Sequence, residues 1–297
     1  MSRKRIPAVA LMLFAATLSG FVDAQAAPAH GVCKLASAPG KDFEMKVPFD
    51  VVDGRIYVHA RVNGRGPLRF AVDTGASGWG RADASLVAAL HLEMGKPTTT
   101  SDGVQAAQVA TTHLDSLQLG GLSRKNLDVI TRDYDGRMLP DAAFSGIIGR
   151  EFFADGLLII DYPKRTLSFS RKLSLSPAEK NVLGYKRAFR VPVSIGKVQT
   201  EGNLDTGANV AFVLPTSLFE RVSDAPLEQA GQGRLTNSRI STWKSAVRGP
   251  FRIGGMSLSN VQVRVADRYP ELLVGAHALQ HFVVMIDQRS RSIALCN

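Results

Sequence analysis

Two stretches decide how this chain reads: Asp73-Thr74-Gly75-Ala76 and, 132 residues later, Asp205-Thr206-Gly207-Ala208. Each closes an extended run, Leu68 to Val72 before the first and Val198 to Leu204 before the second. An acid, a hydroxyl and a glycine at a strand end make a tight polar turn. The glycine permits a backbone path, or the close approach of another chain, that a Cβ would obstruct. One Asp-Thr-Gly is a weak signal. Two in matching contexts mark where the chemistry of the chain lies.

The sequence around them is also duplicated. Leu117-Gln118-Leu119-Gly120-Gly121-Leu122-Ser123 is echoed by Phe251-Arg252-Ile253-Gly254-Gly255-Met256-Ser257, and Asn126 to Val129 by Asn260 to Val263. Ile147-Ile148-Gly149 returns as Leu273-Val274-Gly275, and each half places an Asp (Asp161, Asp287) 12 residues after that glycine. A repeat of this kind reads as two copies of one structural unit. The copies differ in length: Gly121 to Gly149 spans 28 residues and Gly255 to Gly275 spans 20. The surplus falls within Arg132 to Phe144, as a surface insertion or as a loop that leans over a shared cleft.

The 297 residues, 45% hydrophobic and 21% charged, suit two globular units of about 100–150 residues each. Residues 1–26 are set apart. Arg3-Lys4-Arg5 precedes a mostly apolar stretch from Ile6 to Val22, and Ala24-Gln25-Ala26 offers a small-x-small cleavage site. That pattern predicts a secretory signal peptide; an uncleaved membrane anchor is the alternative, and the stretch is marginal for a span. Cleavage would reduce the net charge from +10 to +8. The remaining Lys and Arg are scattered, with no block interleaved with aromatics and no nucleic-acid-binding motif, so a solvated basic surface is expected. Cys33 and Cys296 are the two cysteines, near the two ends of the mature chain. In an oxidising compartment they either pair, tying the termini together, or remain two free thiols. Their spacing does not suggest a zinc site. His277 and His281, four residues apart on a predicted helix, have no third ligand nearby in sequence, and ordinary helix positions are expected.

The local pattern is mainly β. Phe43–Phe49 and Arg55–Val62 alternate as strands, and the turn at 63–66 leads into the strand that ends at Asp73. Residues 83–92 carry a helical apolar face. Extended segments are predicted at 104–112, 114–119 and 127–131, with a short helix at 150–154 and a hairpin formed by 157–161 and 166–170. The domain boundaries are then a leader over 27–42, a first lobe over 43–171, a linker over 172–186 and a second lobe over 187–297.

The paired Asp-Thr-Gly-Ala turns, each followed by a Gly-Gly hairpin segment and by hydrophobic-hydrophobic-Gly, resemble the aspartic proteases. The resemblance is to the retropepsin-like and pepsin-like superfamily, in particular to its exported bacterial single-chain members, and covers about residues 43–297. It implies two duplicated lobes of the acid-protease β-barrel fold around a central cleft. Asp73 and Asp205 would meet at the floor of the cleft as the catalytic pair. Thr74, Gly75, Thr206 and Gly207 would support them, with the two threonines cross-linking the turns and 147–149 and 273–275 packing behind. The implied reaction is hydrolysis of peptide bonds by a water activated between two carboxylates that share a proton, with no cofactor, metal or covalent intermediate. No Gly-x-Ser-x-Gly, His-Glu-x-x-His or Walker loop competes with this reading.

The sequence departs from the pepsin pattern in three places. Ala76 and Ala208 stand where pepsin-like enzymes carry a hydroxyl, which shifts the expected pH optimum toward weak acid or neutrality. The flap hairpin expected around Thr100-Ser101-Asp102-Gly103 lacks an aromatic residue. Trp79 either supports the flap, lines a subsite or simply packs, and Trp243 is equally ambiguous. A leader of about 16 residues is too short for a pepsin-style pro-segment. A peptide or protein substrate, a monomer, and a periplasmic or secreted location are expected. The rival reading is a non-catalytic peptide-binding or inhibitor-like protein on the same fold, and an assembly role in the envelope is a weaker third.

Overall fold

The structure, a computed structural model, describes residues 31–134, 142–187 and 189–297. The expected signal peptide and most of the surplus segment of the first repeat lie outside these residues. Three sheets organise the chain. The first repeat forms an eight-stranded sheet in the order Asp50–Val52, Arg55–Val62, Arg65–Val72, Gly146–Ile148, Gly80–Asp83, Leu122–Arg132, Ala106–Leu119, Met94–Ser101. Arg55–Val62 also pairs with Ala106–Leu119, through Arg61 opposite Gln118 and Val62 opposite Leu117, and this curls the sheet toward a barrel. The second repeat forms a nine-stranded sheet, with Val198–Asp205, Leu272–Gly275 and Phe212–Pro215 adjacent near its middle.

The third sheet is shared between the repeats. Its six strands run Met45–Pro48, Thr166–Ser170, Leu157–Asp161, Val283–Asp287, Ser292–Cys296, Val182–Gly184. At its centre Leu157–Asp161 lies antiparallel to Val283–Asp287 with Ile159 opposite Met285, Leu157 opposite Asp287 and Asp161 opposite Val283. This register is unchanged when the two strands are exchanged, so a local two-fold axis passes between Ile159 and Met285. The duplication read from the sequence is thus a spatial symmetry.

Leu157-Leu158-Ile159-Ile160 is continuously apolar because both faces of the shared sheet are covered. Leu158, Ile160, Val284 and Ile286 face the main core, while Leu157, Ile159, Val283 and Met285 join a second cluster with Val32 and Leu175. That second cluster draws in the N-terminal segment. Gly31–Ser37 is a 3₁₀ helix with Val32 buried, and Cys33 is bonded to Cys296 with Cα atoms 5.9 Å apart. The pairing alternative for the cysteines is therefore the observed one. A side chain that buries an apolar methyl stem here contributes roughly 25 cal/mol per Å² removed from water.

The sequence-based expectations need correction at several points. The stretch expected to be only a linker contains a strand, Val182–Gly184, which pairs with Ser292–Cys296 and completes the shared sheet. The extended segments expected over 104–112 and 114–119 are one strand, Ala106–Leu119, because its pairing with Leu122–Arg132 runs through 113, with Thr112 opposite Val129, His113 opposite Asp128 and Leu114 opposite Leu127. The helix Ala84–Leu90 starts where Asp83 caps it by accepting a bond from the Ser85 amide at 2.8 Å. The helix bearing His277 is only Ala276–Leu279, so His281 falls beyond its end and the two histidines do not share a helical face. Among the described residues no helix is long and apolar enough to cross a membrane.

Candidate active site

Both Asp turns sit where a strand ends between two neighbours. Arg65–Val72 pairs in parallel with Gly146–Ile148, and Val198–Asp205 pairs in parallel with Leu272–Gly275. On their other side Gly146–Ile148 and Leu272–Gly275 meet Gly80–Asp83 and Phe212–Pro215 in antiparallel fashion. The chain leaving each Asp therefore has to loop over the middle strand before it re-enters the sheet. The loop is held from below. The Gly149 amide donates to the Trp79 carbonyl and the Arg150 amide to Ala76, at 3.0 and 3.1 Å; Gly275 and Ala276 do the same to Ala211 and Ala208, at 2.9 and 2.8 Å. A methyl on Gly149 would overlap the Gly78 and Ala76 carbonyls, and one on Gly275 those of Val210 and Ala208. Only glycine lets the hydrophobic-hydrophobic-Gly strand come this close.

Within the first turn Asp73 Oδ1 accepts bonds from the Gly75 and Ala76 amides at 2.8 and 3.0 Å. Asp205 Oδ1 accepts from the Gly207 amide at 2.8 Å. The two turns are then locked to each other. The Thr74 amide donates to Thr206 Oγ1 at 3.1 Å, and the Thr206 amide donates to Thr74 Oγ1 at 3.0 Å. Each hydroxyl passes its own proton across the interface, Thr74 to the Leu204 carbonyl at 3.1 Å and Thr206 to Val72 at 2.9 Å. Both threonines are buried, so all of these groups would otherwise be unsatisfied.

The glycines bring the acids together. A Cβ on Gly75 would lie 2.6 Å from the Asp205 carboxyl carbon, and a Cβ on Gly207 would lie 2.5 Å from Asp73 Oδ2. Neither glycine has a positive φ. Of the two reasons sequence offers for a glycine in these turns, it is close approach that applies, since each carboxyl lies over the glycine of the opposite turn. The acids are within a hydrogen bond of each other, and burial, the Asp73 charge and that hydrogen bond push the Asp205 carboxyl well above its ordinary value. The Gly207 and Ala208 amides oppose the shift without cancelling it. Such a pair holds a proton between its members at pH values where an isolated carboxyl has lost it.

Each repeat also supplies a long hairpin, and the two hairpins meet. The hairpin of Met94–Ser101 and Ala106–Leu119 carries the turn predicted as a flap, and the second repeat supplies its counterpart in Glu228–Arg234 and Arg239–Val247. The tips of the two hairpins are joined. Asp102 Oδ2 accepts from the Asn237 amide at 2.7 Å and from the Ser238 hydroxyl at 2.9 Å. Asn237 Nδ2 donates to the Thr100 and Gln105 carbonyls at 3.0 and 2.9 Å. Arg132, at the edge of the surplus segment, reaches the Thr236 carbonyl at 2.9 Å and Asn237 Oδ1 at 2.5 Å. Val104 packs into a second-repeat cluster with Ile240, Tyr269 and Leu273. Burial opposes ionisation of Asp102, but amides of Gln105, Asn237 and Val104 and the Ser238 hydroxyl together hold it below its ordinary value.

A second brace reaches the Asp205 turn from the first repeat. Arg55 Nε donates to the Gly207 carbonyl at 2.7 Å and its Nη2 to Asn209 Oδ1 at 3.2 Å, while Asn209 Nδ2 donates to Asp53 at 2.6 Å. Asp53 also bonds His277 Nε2 at 3.1 Å. Sequence reasoning missed this brace and the flap clasp, because both join residues more than 100 positions apart. Aligning the two repeats would have placed 235–238 at the counterpart of the flap turn, and that was the available signal.

Asp73, Thr74, Gly75, Asp205, Thr206 and Gly207 are all brought to one place. Cys33 and Cys296 instead pair at the shared sheet. Trp79 is 37% exposed, with the Arg124 guanidinium 5.9 Å from its ring centroid. Trp243 is half-buried against the main core. Among the described residues no group of three or more His, Cys, Asp or Glu is gathered to hold a metal ion. No curated protein matches the chain. The family model for aspartyl proteases matches it twice, over residues 58–152 and 191–278, one match per repeat and each containing one of the two Asp turns. With well over half of its length matched, the chain belongs to the aspartyl protease family.

Proposed function

We propose that this protein is an aspartic endopeptidase in which Asp73 and Asp205 together activate a water. The observation that carries the reading is the reciprocal placement of the two carboxyls, each over the glycine of the opposite turn. A water between them loses a proton to the ionised member as its oxygen attacks the scissile carbonyl. The protonated member donates to the carbonyl oxygen, and a proton then passes to the leaving nitrogen as the C–N bond breaks. Thr74 and Thr206 position the pair, and the Gly75, Ala76 and Gly207 amides stabilise its negative charge. The joined hairpin tips must part to admit a peptide and close again to exclude bulk water.

The Cys33–Cys296 bond supports an exported chain, because such a bond persists in an oxidising compartment. With the signal-like residues 1–26, this favours a periplasmic location, with a monomer carrying both lobes. The test is incubation of residues 27–297 with a diverse peptide mixture from pH 3 to 8, with new termini identified by mass spectrometry. New termini that vanish on adding a peptide analogue with a hydroxyl in place of the scissile carbonyl support the reading. Retention of peptides without new termini supports the non-catalytic peptide-binding alternative.

A further inference from the structure

The two repeats differ sharply in charge beside their Asp turns. In the first repeat Trp79 covers this face and Arg124 lies against its ring. Arg124 donates to the Phe152 carbonyl at 2.9 and 2.7 Å and pairs with Asp155, which Arg171 also holds at 2.8 Å. The face is filled and neutralised.

The matching positions of the second repeat follow from shared backbone bonds. Ala211 replaces Trp79, since each accepts from the glycine that ends its hydrophobic-hydrophobic-Gly strand. Lys244 and Arg264 are cross-strand partners just as Thr111 and Ile130 are. Counting on from Gly149 and Gly275, His277 replaces Glu151 and His281 replaces Asp155; counting from Gly121 and Gly255, Leu258 replaces Arg124. Loss of the indole leaves an open groove of about 440 Å³, whose polar lining includes Asn209, Lys244, Gln262, Arg264, His277 and His281. No carboxylate lines it. Two carboxylates reach its rim, Glu228 to Lys244 at 3.0 Å and Asp53 to His277 at 3.1 Å, both largely exposed. Among the described residues no group pairs by hydrogen bond or charge with the side chain of Arg264 or of His281. Two acids, an arginine, a threonine and an isoleucine have thus become two histidines, a leucine, a lysine and an arginine, so two carboxylates and one cation give way to two cations and two imidazoles.

We propose that this groove is a subsite for acidic side chains of a peptide substrate, engaged away from the scissile bond. The proposal rests on the peptide-hydrolysis reading. What ties it to a peptide chain is continuity: Asn209, four residues past Asp205, both lines the groove and belongs to the brace that holds the Asp205 turn. In this proposal a peptide that leaves the cleft past that turn lies in the groove, where Lys244 and Arg264 supply fixed positive charge and Asn209 and Gln262 supply amide donors.

The experiment uses the full mature chain carrying Asp205→Asn, so that binding is read without cleavage. Fluorescent peptides with a run of Glu, or with Gln at the same positions, are compared by anisotropy at low and high salt. The Glu peptide binds at least tenfold more tightly than the Gln peptide, and the preference shrinks as salt is added. Lys244→Gln with Arg264→Gln reduces the preference to within twofold, while Arg264→Lys keeps most of it, which separates charge from any folding defect. Equal affinities, no binding of either peptide, or a preference that survives the double substitution would overturn the proposal. Competition by inorganic phosphate as effective as that by unlabelled Glu peptide, or binding to anionic vesicles in preference to the peptide, would do so too. If the unsubstituted chain cleaves nothing while the charge preference is intact, it is the hydrolase reading that has failed and the groove that stands.

Discussion

Thr74 and Thr206 each donate a backbone amide to the hydroxyl of the other, at 3.1 and 3.0 Å, across the interface between the two repeats. Their hydroxyls then donate onward to Leu204 and Val72, so four bonds close one symmetrical unit. Thr74→Val or Thr206→Val keeps the shape but strands a buried amide and a buried carbonyl. Each is expected to cost about 2–4 kcal/mol, read as a lower midpoint in a denaturant titration, with Thr→Ser largely restoring it. The two changes orphan different groups, the Thr206 amide and Leu204 carbonyl in one and the Thr74 amide and Val72 carbonyl in the other. The double Val variant therefore measures how far the two halves of the unit are coupled, as its departure from the sum of the single costs.

Gly75→Ala and Gly207→Ala should be far more damaging to activity than a glycine change elsewhere. Each new methyl would sit within 2.6 Å of a carboxyl on the opposite turn. The acids would have to separate, and a loss of about 100-fold or more in kcat/KM is expected. Gly184→Ala is the control, since a Cβ there meets nothing within 4 Å. Equal effects at Gly75 and Gly184 would contradict the geometry.

The elevated Asp205 carboxyl makes a signed prediction for stability. A carboxyl whose pKa is raised by folding contributes stability that is fully present below the ordinary value of about 4. That contribution is lost as pH rises through the folded value. Asp205→Asn should therefore melt close to the unsubstituted chain at pH 3 and a few degrees higher at pH 8. Thermal melts across this range check it, and a difference independent of pH would argue against a shared proton. The corresponding rate profile should peak at weakly acidic to neutral pH, because neither Ala76 nor Ala208 offers a hydroxyl to the ionised pair.

The Asp102 clasp behaves in the opposite sense. Its carboxyl is held below the ordinary value, so the stability it contributes is present above about pH 4 and is lost only as pH falls through the lower folded value. The hairpins thus stay joined above about pH 4, including the range in which the raised Asp205 carboxyl still holds its proton. Asp102→Ala removes the acceptor for two side-chain-held bonds to Asn237 and Ser238 and for the turn amides of Val104 and Gln105. Amide hydrogen exchange should accelerate roughly tenfold or more at 100–106 and 235–238 while the shared sheet is unchanged.

Much of this architecture was legible in the sequence because the chain states it twice. The paired turns, the Gly-Gly hairpins and Gly149 with Gly275 fixed both repeats and placed all six residues of the central site. Local pattern also identified the Leu157–Asp161 and Thr166–Ser170 hairpin. What escaped depended on contacts between distant residues with no periodicity to announce them. Val182–Gly184 is too short to show alternation and becomes a strand only because Ser292–Cys296 presents an open edge. Arg55 reads as an ordinary surface cation until the fold brings Gly207 to it. Asn237 and Ser238 look like any polar turn until Asp102 arrives from the other repeat. The groove beside the second turn is visible only when the repeats are compared as structures, where Trp79 fills a space that Ala211 leaves open.

The most direct test of the central claim is hydrolysis of one cleaved peptide by the mature chain, beside Asp73→Asn and Asp205→Asn, all three shown to be folded. Joint action of the two carboxyls predicts that each single substitution lowers kcat by at least about 1,000-fold and that the double variant is scarcely worse than either. Substantial turnover in either single variant would contradict the account, because it would mean that one carboxyl suffices and the reciprocal geometry of the two turns serves something else.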